Sequence, residues 1–317
     1  RQALAGRMIE LSAKAVIDEK GILLVVIIKA ILIALTTVMC IISVPYYSYL
    51  VYTRLPSDKA LIGALVMGIF LVFMALWVLI FQTTFFDAVI VRIVHDWYRS
   101  PEVDVASVGK GIRKAWSVSG SIAKYALVFA ILSVLIHIAR SYARRGKGAG
   151  AIIAKMVTWI LRITQDVLKF LGFYMIPAMV IRKMGFRKAL SESVHKLRDL
   201  FVETLAGSFA FSFVIGFIAF LVASSFGAIG YFVGLYIFYD TLGIGMTLGV
   251  SRFTIGVITA VGFFIIGLIP MGLVSSSISV AWKTILYEYG LDIEFGLKGT
   301  FLPARLPPDV KEVFAQI

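Results

Sequence analysis

The feature that most constrains the fold of this chain is a stretch without any charged residue, which runs from Thr204 to Tyr239. A helix needs about 20 apolar residues to cross the hydrocarbon core of a bilayer. The stretch is long enough to hold more than one span, and Gly227, Gly230 and Gly234 predict a break inside it. The whole chain is 60% hydrophobic and 15% charged, whereas soluble domains contain about 25% charged residues. The sequence therefore predicts an all-α, polytopic membrane protein.

The apolar segments predict a membrane helix bundle with about six transmembrane helices. Their approximate bounds are 21–51, 60–94, 121–140, 151–181, 204–239 and 254–282. Residues 1–20 place their apolar side chains on one face, which predicts an interfacial amphipathic helix. We therefore expect three regions: this interfacial helix, a transmembrane helical domain over 21–290, and a polar C-terminal tail over 291–317.

A short motif occurs twice, as GIRKAWSVS over 111–119 and as GFRKALSES over 185–193. Each copy lies between two apolar segments, so we interpret it as an interfacial elbow whose glycine starts a short helix. The residues expected to meet lipid headgroups at the elbows are Arg113, Lys114, Trp116, Arg187 and Lys188. Both elbows fall on the same side of the predicted topology, which makes this a parallel internal repeat.

Loop charge predicts how the chain is oriented in the cell membrane. Lys and Arg are concentrated before residue 21, in both elbows and in the tail, so the positive-inside rule places both termini in the cytoplasm. The basic stretch 140–155 conflicts with this topology, which assigns it to the outside. Either its charges are buried against partners or anionic headgroups, or the third and fourth segments form a hairpin that does not fully cross.

Charged residues inside the spans are the candidates for functional residues, because such residues are costly in lipid and usually pair or face a cavity. Lys29 and Asp87 are expected at similar depth on the first two spans, and we predict that they form an ion pair.

The fourth segment carries a charged stripe at helical spacing, formed by Lys155, Arg162, Asp166 and Lys169. With the basic residues of the preceding segment, it predicts a cleft for an anion or a lipid headgroup. Those further residues are His137, Arg140, Arg144 and Arg145. The alternative is that the first half of this segment lies on the membrane surface with its charges solvated.

The motif search favours a protein without catalysis. Cys40 is the only cysteine, and the chain has no phosphate-binding glycine loop, metal-ligand cluster or catalytic triad pattern. We therefore predict that it is not an enzyme and that it has no cofactor and no metal. The net charge is +13, and the basic residues cluster beside the apolar segments. This favours anionic lipid headgroups as partners and not nucleic acid.

Three motifs carry a family resemblance: the segment 10–20 before the first apolar run, the two Gly-x-Arg-Lys-Ala elbows, and the closing segment 281–290. In these motifs the chain resembles a family of six-span bacterial and archaeal integral membrane proteins. The family is uncharacterised and is classed as a domain of unknown function. The resemblance implies the same multi-pass fold and no particular activity.

The function predicted from these features is that of a non-catalytic multi-pass protein. It would act as an oligomeric scaffold or as an accessory subunit of a membrane assembly, through homo-oligomers or other membrane subunits. The alternative is a transporter or channel for an anionic or lipid-like solute, which would use the charged face of the fourth helix.

Overall fold

The computed structural model describes residues 2–54, 57–99, 108–145, 149–242 and 249–294, and every element in these ranges is helical. The helices are α1 (Gln2–Asp18), α2 (Lys20–Arg54), α3 (Ser57–Arg99), α4 (Val108–Ser117), α5 (Ser119–Arg145), α6 (Ala149–Leu171), α7 (Met175–Ile181), α8 (Phe186–Asp199), α9 (Phe201–Val233), a π-helical segment (Gly234–Thr241) and α10 (Arg252–Glu294). The predicted all-α, polytopic helical bundle is confirmed. Most of the predicted polar tail lies beyond Glu294, outside the described residues.

Five helices of the described chain are long and apolar enough to cross a membrane. Their bounds are Lys20–Arg54, Lys59–Arg99, Ser119–Ser141, Ser208–Thr241 and Arg252–Asp292. Helix α6, the fourth predicted segment, is not among them. The reason is its closely spaced charges from Lys155 to Lys169, which leave no apolar stretch of sufficient length. The placement of both termini in the cytoplasm stays a prediction.

The described chain divides into two compact units. The larger unit combines Lys14–Phe201 with Val280–Ile317, and the smaller combines Arg1–Ala13 with Val202–Ser279. Helix α10 therefore contributes its first part to the smaller unit and its last turns to the larger one.

The core of the larger unit lies around the last turns of α3, helix α7 and the last turns of α10. Helix α2 packs along α3, which also contacts α4, α5 and α7, while α5 packs on α6. The largest fully buried side chains here include Ile90, Ile93, Tyr174, Met179, Trp282 and Tyr287. Helix α2 exposes large apolar side chains along its length, such as Ile31 and Ile41, as expected of a helix surrounded by lipid tails.

A break separates α6 from α7. Helix α6 ends at Leu171 and α7 begins at Met175, before Pro177 is reached. Pro177 lies in the first turn of α7, where its missing N–H leaves no intrahelical bond unmade. Ser193 of the second elbow holds the break: the Tyr174 N–H donates to its hydroxyl at 3.0 Å, and the hydroxyl donates to the Leu171 carbonyl.

The two elbows fold into α4 and α8, each of which precedes a long helix. Their shared alanines, Ala115 and Ala189, are both fully buried. Their glycines differ. Gly185 is the N-cap of α8, as expected, whereas Gly111 lies inside α4, where a Cβ atom would come within 2.9 Å of the Val89 side chain. The first glycine therefore permits close packing and does not start the helix.

In the smaller unit, α9 and the first part of α10 pack closely through glycines. The predicted break at Gly227, Gly230 and Gly234 is wrong at the first two, because α9 runs through both, whereas at Gly234 the α-helix ends and the π-helical segment begins. A Cβ atom on Gly230 would lie 2.8 Å from the Thr259 carbonyl oxygen, and one on Gly256 would lie 2.7 Å from the Tyr231 ring. Such small residues let two membrane helices approach closely.

Candidate functional site

The larger unit contains a cavity of about 570 Å³. Its walls come from α3, α5, the end of α6, the break before α7, and the last turns of α10. The charged residues that line it are Asp87, Lys169 and Lys283, the aromatic ones Tyr125, Phe129 and Phe173, and the polar ones Thr83, Thr84, Ser133 and Gln165. Binding pockets for small organic molecules typically have about 300–1,000 Å³ and this mixture of apolar walls with a few polar groups.

Asp87 is held at the cavity by Lys29. The Lys29 Nζ atom lies 2.6 Å from the Asp87 Oδ1 atom, and their side chains are 7% and 15% exposed. The predicted pair is therefore formed in the structure. Each of these charges would be costly alone in this environment, and pairing lowers the cost of both.

Three aromatic rings form one side of the cavity. The rings of Tyr125 and Phe129 lie on one face of α5 with their centres 4.6 Å apart. Phe173 lies in the break between α6 and α7, with its ring edge-on to Trp282 at 5.3 Å. The Lys283 Nζ atom stands 5.0 Å from the centre of the Phe173 ring, which is within the range of a cation–π interaction.

Polar groups connect α5 and α6 at the cavity wall. The Gln165 side-chain amide donates to the Ser133 hydroxyl at 3.2 Å. Lys169 follows one turn later and is mostly exposed, with Asp166 at 3.6 Å. The wall therefore offers both hydrogen-bond donors and acceptors beside the aromatic rings.

A buried charged network fixes the last turns of α10 against α3. Glu288 is fully buried and lies 2.6 Å from the His95 Nδ1 atom and 2.6 Å from the Arg99 guanidinium. Arg99 also lies 2.7 Å from Asp292, which accepts a hydrogen bond from the Tyr98 hydroxyl at 3.3 Å. Because Lys283 precedes Glu288 on the same helix, this network sets the position of Lys283 at the cavity.

Of the charged residues predicted to act together on the fourth helix, one lines the cavity. Lys169 lines the cavity, whereas Lys155 and Arg162 lie on the exposed face of α6. On α5, His137 and Arg140 are exposed. Arg144 and Arg145 belong to the last turn of α5, and their side chains lie outside the described residues. The predicted basic cleft thus contributes one residue, Lys169, to the cavity.

The elbow residues lie away from this cavity. Arg113 and Trp116 are exposed, Lys114 is half-buried, and the Trp116 ring is edge-on to Phe85 at 6.0 Å. Arg187 and Lys188 are exposed and line a second hollow at the start of α8.

Sequence reasoning missed the residues from the last turns of α10. The predicted final span ended at Trp282, one residue before Lys283. A lysine between two apolar stretches is an intramembrane charge, and such charges indicate functional sites. Lys283 fits this pattern, so the sequence did contain a signal for it. Glu288 lay inside the closing motif used for the resemblance, and its partner His95 was more than a hundred residues away in the sequence. Nothing in the local pattern connected the two.

Comparison with known protein families identifies the chain's relatives. The model of one family, described as plasma-membrane choline transporter, matches residues 1–294. No curated protein matches the chain. The family match overturns two predictions: the chain does not fall in an uncharacterised family, and its relatives are transporters, not scaffolds or accessory subunits. Because the match covers nearly the whole chain, the protein belongs to the plasma-membrane choline transporter family.

Proposed function

We propose that this protein is a membrane transporter for a small organic cation of the choline type, and that the cavity of the larger unit binds it. The family supports a transport role, and the apolar helices support location in a membrane. The observation that carries the proposal is the cation–π contact between Lys283 and Phe173, because it places an ammonium group against an aromatic wall inside the cavity.

The chemistry of the walls matches a quaternary ammonium group. Such a group has no N–H to donate, so it is recognised by aromatic faces and by nearby negative charge. Tyr125, Phe129 and Phe173 supply the faces, and Asp87 supplies the negative charge. The hydroxyl end of a choline-like molecule can form hydrogen bonds with Thr83 or Gln165, which also line the cavity.

Lys283 has a definite role in this proposal. Its ammonium group occupies the Phe173 face and repels a second cation, so a substrate displaces it or binds against the Tyr125 and Phe129 rings. The positive charges of Lys29, which pairs with Asp87, and of Lys283, which lines the cavity, keep the cavity from binding cations too tightly for release. A transporter needs this, because a site that holds its substrate very tightly releases it slowly.

Calorimetric titration of the purified protein in detergent tests the proposal. We expect choline to bind, and its neutral tert-butyl analogue to bind at least about tenfold more weakly, because the shape is kept and the charge is lost. Acetate serves as the anionic probe that the alternative based on the fourth helix requires. Equal binding of choline and its neutral analogue, or binding of acetate alone, would contradict the proposed substrate class.

We also propose, from loop charge alone, that both termini lie in the cytoplasm. Labelling of a cysteine introduced at Lys20, after replacement of Cys40 by Ser, tests this in intact cells. Protection from a membrane-impermeant thiol reagent is the expected result.

A further inference from the structure

A second concave site lies in the larger unit, where the second elbow meets the beginning of α5. The hollow has a volume of about 780 Å³. Its basic side chains are Lys124, Arg182, Lys183, Arg187 and Lys188, and none of the described residues that line it is acidic. Glu192 pairs with Arg182 at 2.6 Å, which offsets one of these five charges. Positive groups gathered around one hollow repel each other and attract an anion.

The position of the hollow along the membrane helices suits a lipid headgroup. The span of α5 begins at Ser119, so Lys124 lies in its first turns, near the membrane surface. Helix α8 begins at the same place, with Gly185 as N-cap and no side chain capping its first N–H groups. These N–H groups and the helix dipole add further attraction for a negative group.

Lys183 occupies its place at this hollow with an unfavourable backbone conformation. Its φ is 54°, and it is the one residue other than glycine with a positive φ among those described. L side chains rarely adopt this conformation, and glycine would adopt it without cost. A lysine in this place therefore supplies a positive group that glycine lacks.

The electrostatic field of Lys183 reaches Lys114 of the first elbow. Burial lowers the pKa of the Lys114 ammonium, and the positive charges of Lys183 and Arg92 lower this pKa further. Lys114 belongs to the first copy of the repeated motif, and Lys183 lies two residues before the second copy begins at Gly185. A basic residue of the first elbow therefore lies within electrostatic reach of the hollow, although it does not line it.

We propose that this hollow is a binding site for a phosphate group carried by an anionic phospholipid, with positive charge supplied by the basic residues that line it. Arginine and lysine differ usefully here: the planar guanidinium of Arg187 can bind two phosphate oxygens together, while Lys183 and Lys124 act as point charges. Basic pockets between membrane helices near the surface bind phospholipid headgroups in this way.

Native mass spectrometry of the delipidated protein tests this site without any use of choline, so its outcome is independent of the transport proposal. The probes are dioctanoyl phosphatidylglycerol, dioctanoylglycerol, which has the same chains and no phosphate, and inorganic phosphate. We expect phosphatidylglycerol to bind and dioctanoylglycerol not to bind. Arg187→Gln and Lys183→Gly should each weaken lipid binding by about tenfold, since each removes one charged contact to the phosphate.

The repeat provides a matched control. Arg113 occupies in the first elbow the place that Arg187 occupies in the second, and it is exposed and does not line the hollow. Arg113→Gln should leave lipid binding nearly unchanged. Lys183→Gly should also keep or raise the unfolding temperature, because glycine suits the backbone, so reduced binding in that variant reports the lost charge.

The outcomes distinguish a lipid phosphate from soluble phosphate, and they also show when the proposed site is wrong. If inorganic phosphate displaces the lipid at similar concentrations, the site stands and its ligand is assigned to soluble phosphate. If Arg113→Gln weakens lipid binding as much as Arg187→Gln does, the attraction is spread over the surface and the proposed site is wrong. Equal binding of phosphatidylglycerol and dioctanoylglycerol would overturn it as well.

Discussion

The Lys283 ammonium lies 5.0 Å from the centre of the Phe173 ring, so the cavity carries a cation of its own against its aromatic wall. Two separate parts of the fold create this relationship. The break between α6 and α7 places Phe173 at the cavity, and the buried network around Glu288 fixes the helix that carries Lys283. The position of the Lys283 ammonium therefore depends on the break before α7 and on the ion pairs of Glu288.

Replacing Lys283 by Met should increase the affinity for choline by about tenfold, because the competing cation is removed while most of the side-chain volume remains. Lys283→Arg keeps the positive charge and should bind choline no more tightly than the unmodified protein. Calorimetric titration in detergent measures both. Unchanged or weaker choline binding by a correctly folded Lys283→Met protein would show that this lysine does not occupy the substrate's place.

Replacing Asp87 by Asn should destabilise the protein by about 3–5 kcal/mol, because it leaves the buried Lys29 cation without its carboxylate partner. The double variant Lys29→Met with Asp87→Leu should recover most of this loss, since no buried charge remains. Asp166→Asn is the matched control, with an exposed carboxylate whose loss should have little effect. Thermal unfolding in detergent measures all three, and equal losses for the Asp87 and Asp166 variants would refute the argument.

Glu288→Gln should also destabilise the protein strongly, by about 3–5 kcal/mol, because Glu288 is fully buried against Arg99 and His95. Asp240→Asn removes a carboxylate from a pair of the same length, with Arg252 at 2.6 Å, but that pair is exposed. Its loss should cost at most about 1 kcal/mol. Unfolding temperatures of the two variants give the comparison, and similar shifts would show that burial of the network is not what stabilises it.

Ser193→Ala should cost about 1–3 kcal/mol, because it leaves buried backbone groups at the break before α7 without their partner. Ser119→Ala changes the corresponding residue of the first elbow, which spans no such break, and should be nearly neutral. We expect Ser193→Ala to weaken choline binding too, since Phe173 is held by this break. If the two serine variants behave alike, the second elbow does not support the cavity in the way described.

The membrane architecture was largely predictable because it depends on local composition. Long apolar runs such as that from Thr204 to Tyr239 become helices whatever their neighbours, since backbone groups in lipid must be satisfied within the segment. The glycines of that run were harder to interpret, because Gly227 and Gly230 lie inside α9 and do not break it. Glycine permits a break in a helix and permits close packing, and only the presence of α10 against Gly230 decides between them.

The cavity was only partly predictable because it is built from distant residues. Lys29 and Asp87 could be paired from the sequence, since adjacent antiparallel spans of known direction place residues at comparable depth. Phe173 and Lys283 could not be connected, because one lies in a helix break and the other at the end of the last helix. The periodicity of the charged residues on α6 predicted a basic cleft, yet only Lys169 of that face lines the cavity.

Uptake of radiolabelled choline into proteoliposomes tests the central claim most directly. The comparison is between the unmodified protein, Phe173→Leu, and Phe201→Leu, whose ring is exposed and lies outside the cavity. We expect choline uptake above that of protein-free liposomes, reduced by about tenfold or more in Phe173→Leu and retained in Phe201→Leu. Uptake that is absent in the unmodified protein, or equal in the two phenylalanine variants, would contradict it.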